Sequence, residues 1–141
     1  MKVLSCNVWG LGSMPKQKVV RELVRQQRCV ILLLQETKLE FATEAFVSRL
    51  WFDDQFGFAF ALAISKSGGV LVIWNHVNFV MEELGVATRF ISMVGFWVIE
   101  QWWCGIWECM VRAWYPTKFN CGRRLVSASV VSYSLVYRRQ F

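Results

Sequence analysis

The sequence lacks the residue patterns from which most zinc and disulfide sites are built. It has one histidine, His76, and five cysteines, of which no two form a CxxC pair. Zinc sites depend on such pairs and closed disulfide frameworks on an even cysteine set, so neither is indicated. His76 has no acidic or hydroxyl residue at a recognisable spacing, and we interpret it as a turn residue. Most of the cysteines are expected to be small buried hydrophobic residues.

Long apolar runs are also absent. A membrane-spanning helix needs roughly 18 consecutive apolar residues, and the nearest candidate, residues 90–107, is broken by Glu100. The N-terminus turns polar before the core of a signal peptide could form. We therefore predict no membrane partner and an intracellular location, nuclear if the protein acts on DNA. The Gly-Lys-Ser/Thr of a phosphate-binding P-loop is missing too, although a Ser-Gly-Gly turn occurs at residues 67–69.

Basic and apolar residues, in contrast, are in excess. The 141 residues are enough for one domain or for a fragment of one. A net charge of +6 agrees with a polyanionic partner such as nucleic acid without identifying it. Hydrophobic residues make up 55% of the chain and include eight Trp, more than a domain of this size readily buries. We therefore expect surplus apolar surface and, with it, self-association.

The first part of the chain has the pattern of a strand, a helix and a second strand. Residues 2–8 predict a short strand, and Ser13 is placed to cap a helix that ends near Arg28. An apolar run over residues 30–34 follows and stops at Glu36, which is typical of a strand buried on both faces. Parallel pairing of the two strands would place Asn7 and Glu36 at the same edge of the sheet.

Asn7 and Glu36 are the candidate site residues. An Asn side chain can donate to a phosphate oxygen or accept from a metal-bound water, and a carboxylate is a preferred ligand of Mg²⁺. Side by side, the two would form half of a metal–phosphate site. The alternatives are that Glu36 is a solvated acid that only closes a strand and that Asn7 is a turn residue satisfying its own backbone.

The chain after residue 38 gives weaker signals of secondary structure. Residues 39–52 predict a second helix or a loop with a helix, and two strands at 56–64 and 70–74 around a Gly-Gly turn predict a hairpin. Beyond residue 78 the Trp-rich sequence follows neither the helical period of about 3.6 nor the strand period of two throughout. It contains strand-like pieces at residues 90–94, 96–99 and 110–114. We place one domain at residues 1–124 and an unmatched tail at 125–141, which is an amphipathic strand, without ordered structure, or the product of a frame shift.

Three blocks carry a resemblance to a known family. The segments LSCNVWGLG (residues 4–12), LLQETK (33–38) and SGGVLVIW (67–74) resemble, in this order and spacing, the endonuclease/exonuclease/phosphatase family. They are most similar to the apurinic-type endonuclease domain of plant LINE-type (non-LTR) retrotransposons. The resemblance implies an α/β fold, the four-layer αββα sandwich, with a Mg²⁺-dependent phosphodiesterase site that acts on DNA. It also implies that Asn7 contacts the scissile phosphate, that Glu36 binds the metal and that Tyr115 lines the pocket.

The chain departs from the family pattern in ways that bear on activity. Trp9 stands where an aspartate or arginine is usual, and Tyr115-Pro116 lacks an intervening glycine. The later Gly-Asp-x-Asn and Ser-Asp-His motifs have no counterpart in the sequence. Catalytic groups act as a unit, so their joint absence should abolish most of the rate. We therefore expect an incomplete sandwich corresponding to the N-terminal half of the fold, inactive alone.

A non-catalytic binding module is the competing hypothesis. A basic helix face could hold nucleic acid through phosphates, together with a basic loop at Arg123-Arg124 and exposed Trp rings that stack on single strands. This face is formed by Lys16, Lys18, Arg21 and Arg25, and the pattern favours a plain solvated surface over a phosphate-binding one. Alternatively, the surplus apolar surface docks another protein.

Overall fold

The computed structural model describes residues 3–63, 68–87, 90–99, 101–109, 117–121 and 124–130. These residues contain two helices, α1 (Met14–Gln27) and α2 (Glu44–Ser48). The strands are β1 (Val3–Asn7), β2 (Ile31–Gln35), β3 (Phe56–Ala61), β4 (Val70–Asn75), β5 (Phe79–Ala87), β6 (Phe90–Trp97), β7 (Trp102–Cys109), β8 (Thr117–Cys121) and β9 (Arg124–Val130). No helix in this described part of the chain is long and apolar enough to cross a membrane.

The strands form two sheets. The larger has the order β3-β4-β2-β1-β9-β8, and the smaller is the antiparallel meander β5-β6-β7. In the larger sheet β1 and β2 run parallel, with Asn7 opposite Gln35, whereas the pairs of β1 with β9 and of β2 with β4 are antiparallel. The predicted strand–helix–strand unit is therefore confirmed, with α1 as its crossover.

Alternating side chains of the larger sheet enter two separate cores. On one face, Leu4 and Leu32 pack with residues of α1 and with Val47 and Trp51. On the other face, Ile31 and its neighbours pack against the inner residues of the smaller sheet, including Phe79, Ile91, Met93 and Trp97. The period of two in β1 and β2 explains this division, because successive side chains point to opposite faces.

The described layers are thus helix, sheet and sheet. This arrangement confirms the expected fold class, an α/β fold matching part of an αββα sandwich. The outward face of the smaller sheet carries Val80, Phe96 and Trp103 in one cross-strand row, and the Phe96 and Trp103 ring centroids are 5.3 Å apart. Val80 is 50% exposed.

Helix α1 begins after Ser13 and ends at Arg28, as predicted, but two details differ. The Ser13 side chain makes no capping hydrogen bond, although its backbone is extended and Pro15 follows in the first turn. Arg28 adopts a left-handed conformation (φ +50°) and its N–H donates to the Val24 carbonyl. Lys16, predicted on the solvated basic face, is buried instead. It lies one helical turn before Val20, on the same buried stripe.

The second half of the described chain contains more strand than the sequence predicted. The β3–β4 hairpin is confirmed, and residues 39–52 form a loop followed by the short helix α2, whose N-cap Thr43 accepts a hydrogen bond from the Phe46 N–H. The pieces at 90–94 and 96–99 belong largely to the single strand β6, and β5 and β7 were not predicted. The predicted strand at 110–114 lies outside the described residues. Residues 124–130 form β9 beside β1, so residues 125–130 of the predicted tail lie in a strand, while the domain division at residue 124 stays a prediction.

Candidate functional site

The candidate site lies where β1 and β2 end. Their parallel hydrogen-bond ladder continues past the strands: Val8 N–H donates to the Gln35 carbonyl at 3.0 Å and Gly10 N–H to the Glu36 carbonyl at 2.6 Å. Asn7, the last residue of β1, and Glu36, which follows β2, are therefore held at one edge of the sheet by main-chain bonds. The structure brings the two residues together as the sequence predicted; their roles stay predictions.

Glu36 has a backbone conformation that is uncommon for its side chain. Its φ is +55°, in the left-handed region, and the residue is half-buried. Among the described residues, its carboxylate has no hydrogen-bond or ion-pair partner. Non-glycine residues in this region persist where the surrounding structure fixes them, often at functional sites. The site carboxylate is thus fixed through its backbone and left available through its oxygens.

Asn7 satisfies part of its hydrogen-bonding capacity locally. Its side-chain Oδ1 accepts from the Trp9 N–H at 3.2 Å, which is the turn role considered as an alternative. An Asn amide also carries two N–H donors, and these have no partner among the described residues. The side chain therefore closes the turn with its oxygen and offers donors, the groups that a phosphate oxygen accepts from.

The loop after β2 is also tied to the loop before β4. Thr37 N–H donates to the Gly69 carbonyl at 3.2 Å, and Lys38 N–H donates to the Gly68 carbonyl at 2.8 Å. A Cβ on Gly69, where φ is +92°, would lie 2.5 Å from the Thr37 hydroxyl oxygen. Glycine is therefore required there for both conformation and space. The Gly68-Gly69 turn therefore holds the loop that follows Glu36 through main-chain hydrogen bonds.

A buried lysine holds the loop between β1 and α1. Lys16 is only 5% exposed, and its Nζ donates to the Val8 carbonyl at 2.8 Å and to the Trp9 carbonyl at 2.6 Å. Gln17, on the same turn, donates from its side chain to the Leu11 carbonyl at 3.1 Å. These bonds satisfy carbonyls of a loop that is neither helix nor sheet. Lys16 is thus part of the support of the site and not of a solvated basic face, which corrects the sequence-based placement.

Two further residues at this edge were not identified from the sequence. Trp9 is 53% exposed at a φ of +44°. Lys38 is exposed at a φ of +55°, and a Cβ on Gly10 would lie 3.6 Å from its Cδ, so its stem passes beside that loop. Trp9 lies two residues after Asn7, and Lys38 lies two residues after Glu36. This closeness in sequence is the feature that could have identified them.

The other predicted residues lie apart from this edge or outside the described chain. Lys18 and Arg21 are exposed on α1, as predicted, and Arg25 is exposed but paired with Glu22 at 2.9 Å. The hydrogen bond from Arg25 lowers the pKa of the Glu22 carboxyl. His76 is exposed in the turn between β4 and β5, which confirms its interpretation. Tyr115 and Arg123 lie outside the described residues.

The donor set at the edge fits a metal only in part. The described residues contain no group of three or more His, Cys, Asp or Glu side chains that could hold a metal ion. Mg²⁺ is commonly held by one or two carboxylates, with water and substrate phosphate completing its coordination. Glu36 supplies one such carboxylate. The residues therefore fit a Mg²⁺ ion shared with a bound phosphate, and not one held by protein ligands alone.

Comparison with known proteins places this geometry in a family. The profile of the Endonuclease/Exonuclease/phosphatase family matches residues 4–116. Among solved structures, the chain is similar to the crystal structure of the AP endonuclease LMAP from Leishmania major, with a TM-score of 0.58 and 18% identity. The similarity covers 79% of this chain and 40% of that one, so the chain spans less than half of that enzyme. A search of curated proteins gives no match. Because the matched region covers more than half of the chain and includes both Asn7 and Glu36, the chain belongs to the Endonuclease/Exonuclease/phosphatase family.

Proposed function

We propose that the chain is a remnant of a Mg²⁺-dependent DNA endonuclease domain of LINE-type retrotransposon origin, which binds DNA phosphate but does not hydrolyse it alone. The observation that carries the proposal is that Asn7 and Glu36 lie together at the carboxyl edge of two parallel strands. Ligands of open α/β sheets collect at this edge. The similarity to an AP endonuclease supports DNA as the polyanion.

Each group at the edge has a chemical role in this proposal. The Asn7 amide donates to a phosphate oxygen, and the Glu36 carboxylate holds Mg²⁺ beside it. The exposed Lys38 ammonium adds positive charge next to the same phosphate. Bound Mg²⁺ would polarise the phosphoryl oxygen and stabilise charge on the leaving oxygen. Tyr115, by resemblance, would line the pocket.

The lack of hydrolysis follows from the missing motifs. The sequence contains neither the Gly-Asp-x-Asn nor the Ser-Asp-His pattern, which in the family orient the attacking water and complete the metal site. Because catalytic groups act together, loss of several lowers the rate by many orders of magnitude. Retrotransposon origin rests on the three sequence blocks, and reverse-transcriptase sequence downstream of the segment that encodes these 141 residues would support it.

A nicking assay tests the lack of hydrolysis. Supercoiled plasmid is incubated with the purified protein and Mg²⁺, and relaxed circles are counted over time. We expect no nicking above buffer. Nicking by the wild-type protein that Glu36→Ala abolishes would show that the chain is an active nuclease and that the inactivity proposal is wrong.

A thermal melt tests the metal role independently of activity. Near-UV circular dichroism reports the packing of the Trp side chains, and Mg²⁺ that binds the folded state raises the melting temperature. At a Mg²⁺ concentration ten times the Kd, the added stability is about 1.4 kcal/mol. We expect Glu36→Gln to lose this shift and Glu82→Gln, an exposed carboxylate on β5, to retain it. An equal shift in all three proteins would remove Glu36 from the metal site.

We also propose that the outward face of the smaller sheet drives self-association. Val80, Phe96 and Trp103 form its apolar row, and no described element covers them. Light scattering after size exclusion should show oligomers that dissociate in Val80→Lys. Val77→Lys is the matched control, because Val77 is equally exposed, at 50%, in the turn before β5. A monomeric wild-type protein would exclude this role.

A further inference from the structure

The exposed ring of Trp9 has a backbone that several bonds fix in place. Its φ of +44° is rare for a bulky side chain. Trp9 N–H donates to the Asn7 Oδ1 at 3.2 Å, and the Trp9 carbonyl accepts from the Lys16 Nζ at 2.6 Å. The next residue, Gly10, donates to the Glu36 carbonyl. The main chain on both sides of the ring is therefore held by the same groups that hold the site.

This arrangement leaves a large aromatic surface in solvent. Trp9 is 53% exposed, whereas Trp51, Trp74 and Trp97 are buried in the two cores. A loop that merely connected β1 and α1 would need neither a Trp nor a left-handed conformation at this position. Strained positions of this kind concentrate at ligand-binding sites.

The neighbours of the ring show what kind of ligand it would take. Asn7 offers amide donors and Lys38 an exposed ammonium, both suited to phosphate oxygens, at the edge that presents the ring. A flat aromatic face beside groups that bind phosphate matches the two parts of a nucleotide. In a duplex both faces of each base are covered by its neighbours, so only an unpaired base has a face available for stacking.

We infer that Trp9 stacks on an unpaired nucleobase of the DNA strand whose phosphate lies at Asn7 and Lys38. The inference rests on the proposed function, because it takes nucleic acid as the ligand. Stacking adds a preference for unpaired over paired DNA. The phosphate contacts cannot supply this preference, because phosphates are present equally in both. Lys16 is the positioning residue, because it holds the carbonyl of Trp9.

Fluorescence anisotropy tests the stacking directly. The full chain is titrated against two labelled probes, a short single-stranded oligothymidylate and a fully paired duplex, in low salt with millimolar Mg²⁺. One stacked base contributes about 5- to 150-fold in Kd. We expect Trp9→Ala to weaken binding of the single strand within that range and to change duplex binding by less than about twofold.

Three further variants separate stacking from loop structure. Trp9→Phe keeps an aromatic face and should retain most of the affinity for the single strand, whereas Trp9→Leu keeps apolar bulk without that face and should resemble Trp9→Ala. Phe52→Ala is the matched control. Phe52 is 42% exposed and precedes β3, which begins at the opposite end of the sheet from Asn7, so its loss should leave both affinities unchanged.

The outcomes are distinguishable. If Trp9→Ala binds both probes as the wild type does, the stacking role is wrong while nucleic-acid binding stands. Equal weakening on both probes, with no recovery in Trp9→Phe, would also overturn it, because the loss would then come from the loop. A wild-type protein that binds neither probe would overturn the proposed function and this inference together.

Discussion

Replacement of Lys16 by methionine tests the support of the site most sharply. Met has nearly the length of the lysine stem but no ammonium, so the packing is retained while the bonds to the Val8 and Trp9 carbonyls are lost. Lys18→Met makes the same chemical change two residues later, on the exposed side of α1. The pair therefore separates loss of a bonded charge from loss of a surface charge.

The expected magnitude follows from the two bonds. A hydrogen bond to a charged group contributes about 1.5–3 kcal/mol, so two set an upper limit of about 3–6 kcal/mol. The opposing term is the cost of burying the ammonium, which Met does not have. With this offset we expect Lys16→Met to lower the free energy of unfolding by about 2–3 kcal/mol, and Lys18→Met to change it by less than about 0.5 kcal/mol.

Urea denaturation measures this difference. With a slope of about 2 kcal/mol per molar urea, the midpoint of Lys16→Met should fall by about 1–1.5 M relative to the wild type. Far-UV circular dichroism follows the helix and the sheets, and Trp fluorescence follows the cores. Coincident transitions by the two probes are needed for a single free energy of unfolding.

Two results would refute the reasoning. Equal midpoints for Lys16→Met and Lys18→Met would mean that the bonds to the loop carbonyls contribute nothing net. A higher midpoint for Lys16→Met would mean that the desolvation of the ammonium exceeds what its hydrogen bonds return, as happens for some buried charges.

Three other substitutions have expected outcomes that depend on local geometry. Gly69→Ala should destabilise the fold by at least about 2 kcal/mol in thermal melts, because φ is positive at this position and the added Cβ would lie 2.5 Å from the Thr37 hydroxyl oxygen. Gly12→Ala is the control and should be neutral, because its added Cβ would have no atom within 4 Å. Thr43→Ala should cost about 1 kcal/mol because it removes the cap of α2, and Ser13→Ala should cost less, because Ser13 makes no cap bond; equal urea midpoints would contradict this. Burial, with a smaller contribution from a second cysteine, raises the pKa of the Cys6 thiol to about 12 from an ordinary 9.0. In the unfolded chain this thiol ionises at a lower pH than in the folded protein. The free energy of unfolding should therefore be unaffected by Cys6 below pH 9 and fall by up to about 1.4 kcal/mol per pH unit above it. Cys6→Ala should reduce this fall in urea midpoints measured from about pH 8 upwards.

The elements near the site were predictable because their signals are local. An apolar run ending at Glu36, a helix spacing after Ser13 and a Gly-Gly turn each constrain only a few neighbouring residues. The smaller sheet was not predictable in the same way. In β5 a register shift between Met81 and Glu83 interrupts the alternation on which strand prediction depends.

The support of the site could be predicted only in part. Lys16 lies four residues before the buried Val20, so the helical spacing already placed it on the buried stripe, but its charge favoured the opposite interpretation. The carbonyls that compensate its burial belong to a loop whose path no periodicity describes. Likewise, the left-handed conformations of Trp9 and Glu36 arise from bonds between two loops that are distant in sequence.

The place of β1 between β2 and β9 also bears on how the protein is made. Leu4 pairs with Leu32 on one side and with Val130 on the other, so one of its partners is synthesised early and the other 126 residues later. At about 5–20 residues per second, a ribosome takes about 6–25 s to reach that partner. During this interval the nascent chain carries an apolar strand with an unpaired edge, the surface that recruits chaperones or other nascent chains. The yield of native protein should therefore depend on the rate of translation and on chaperone supply.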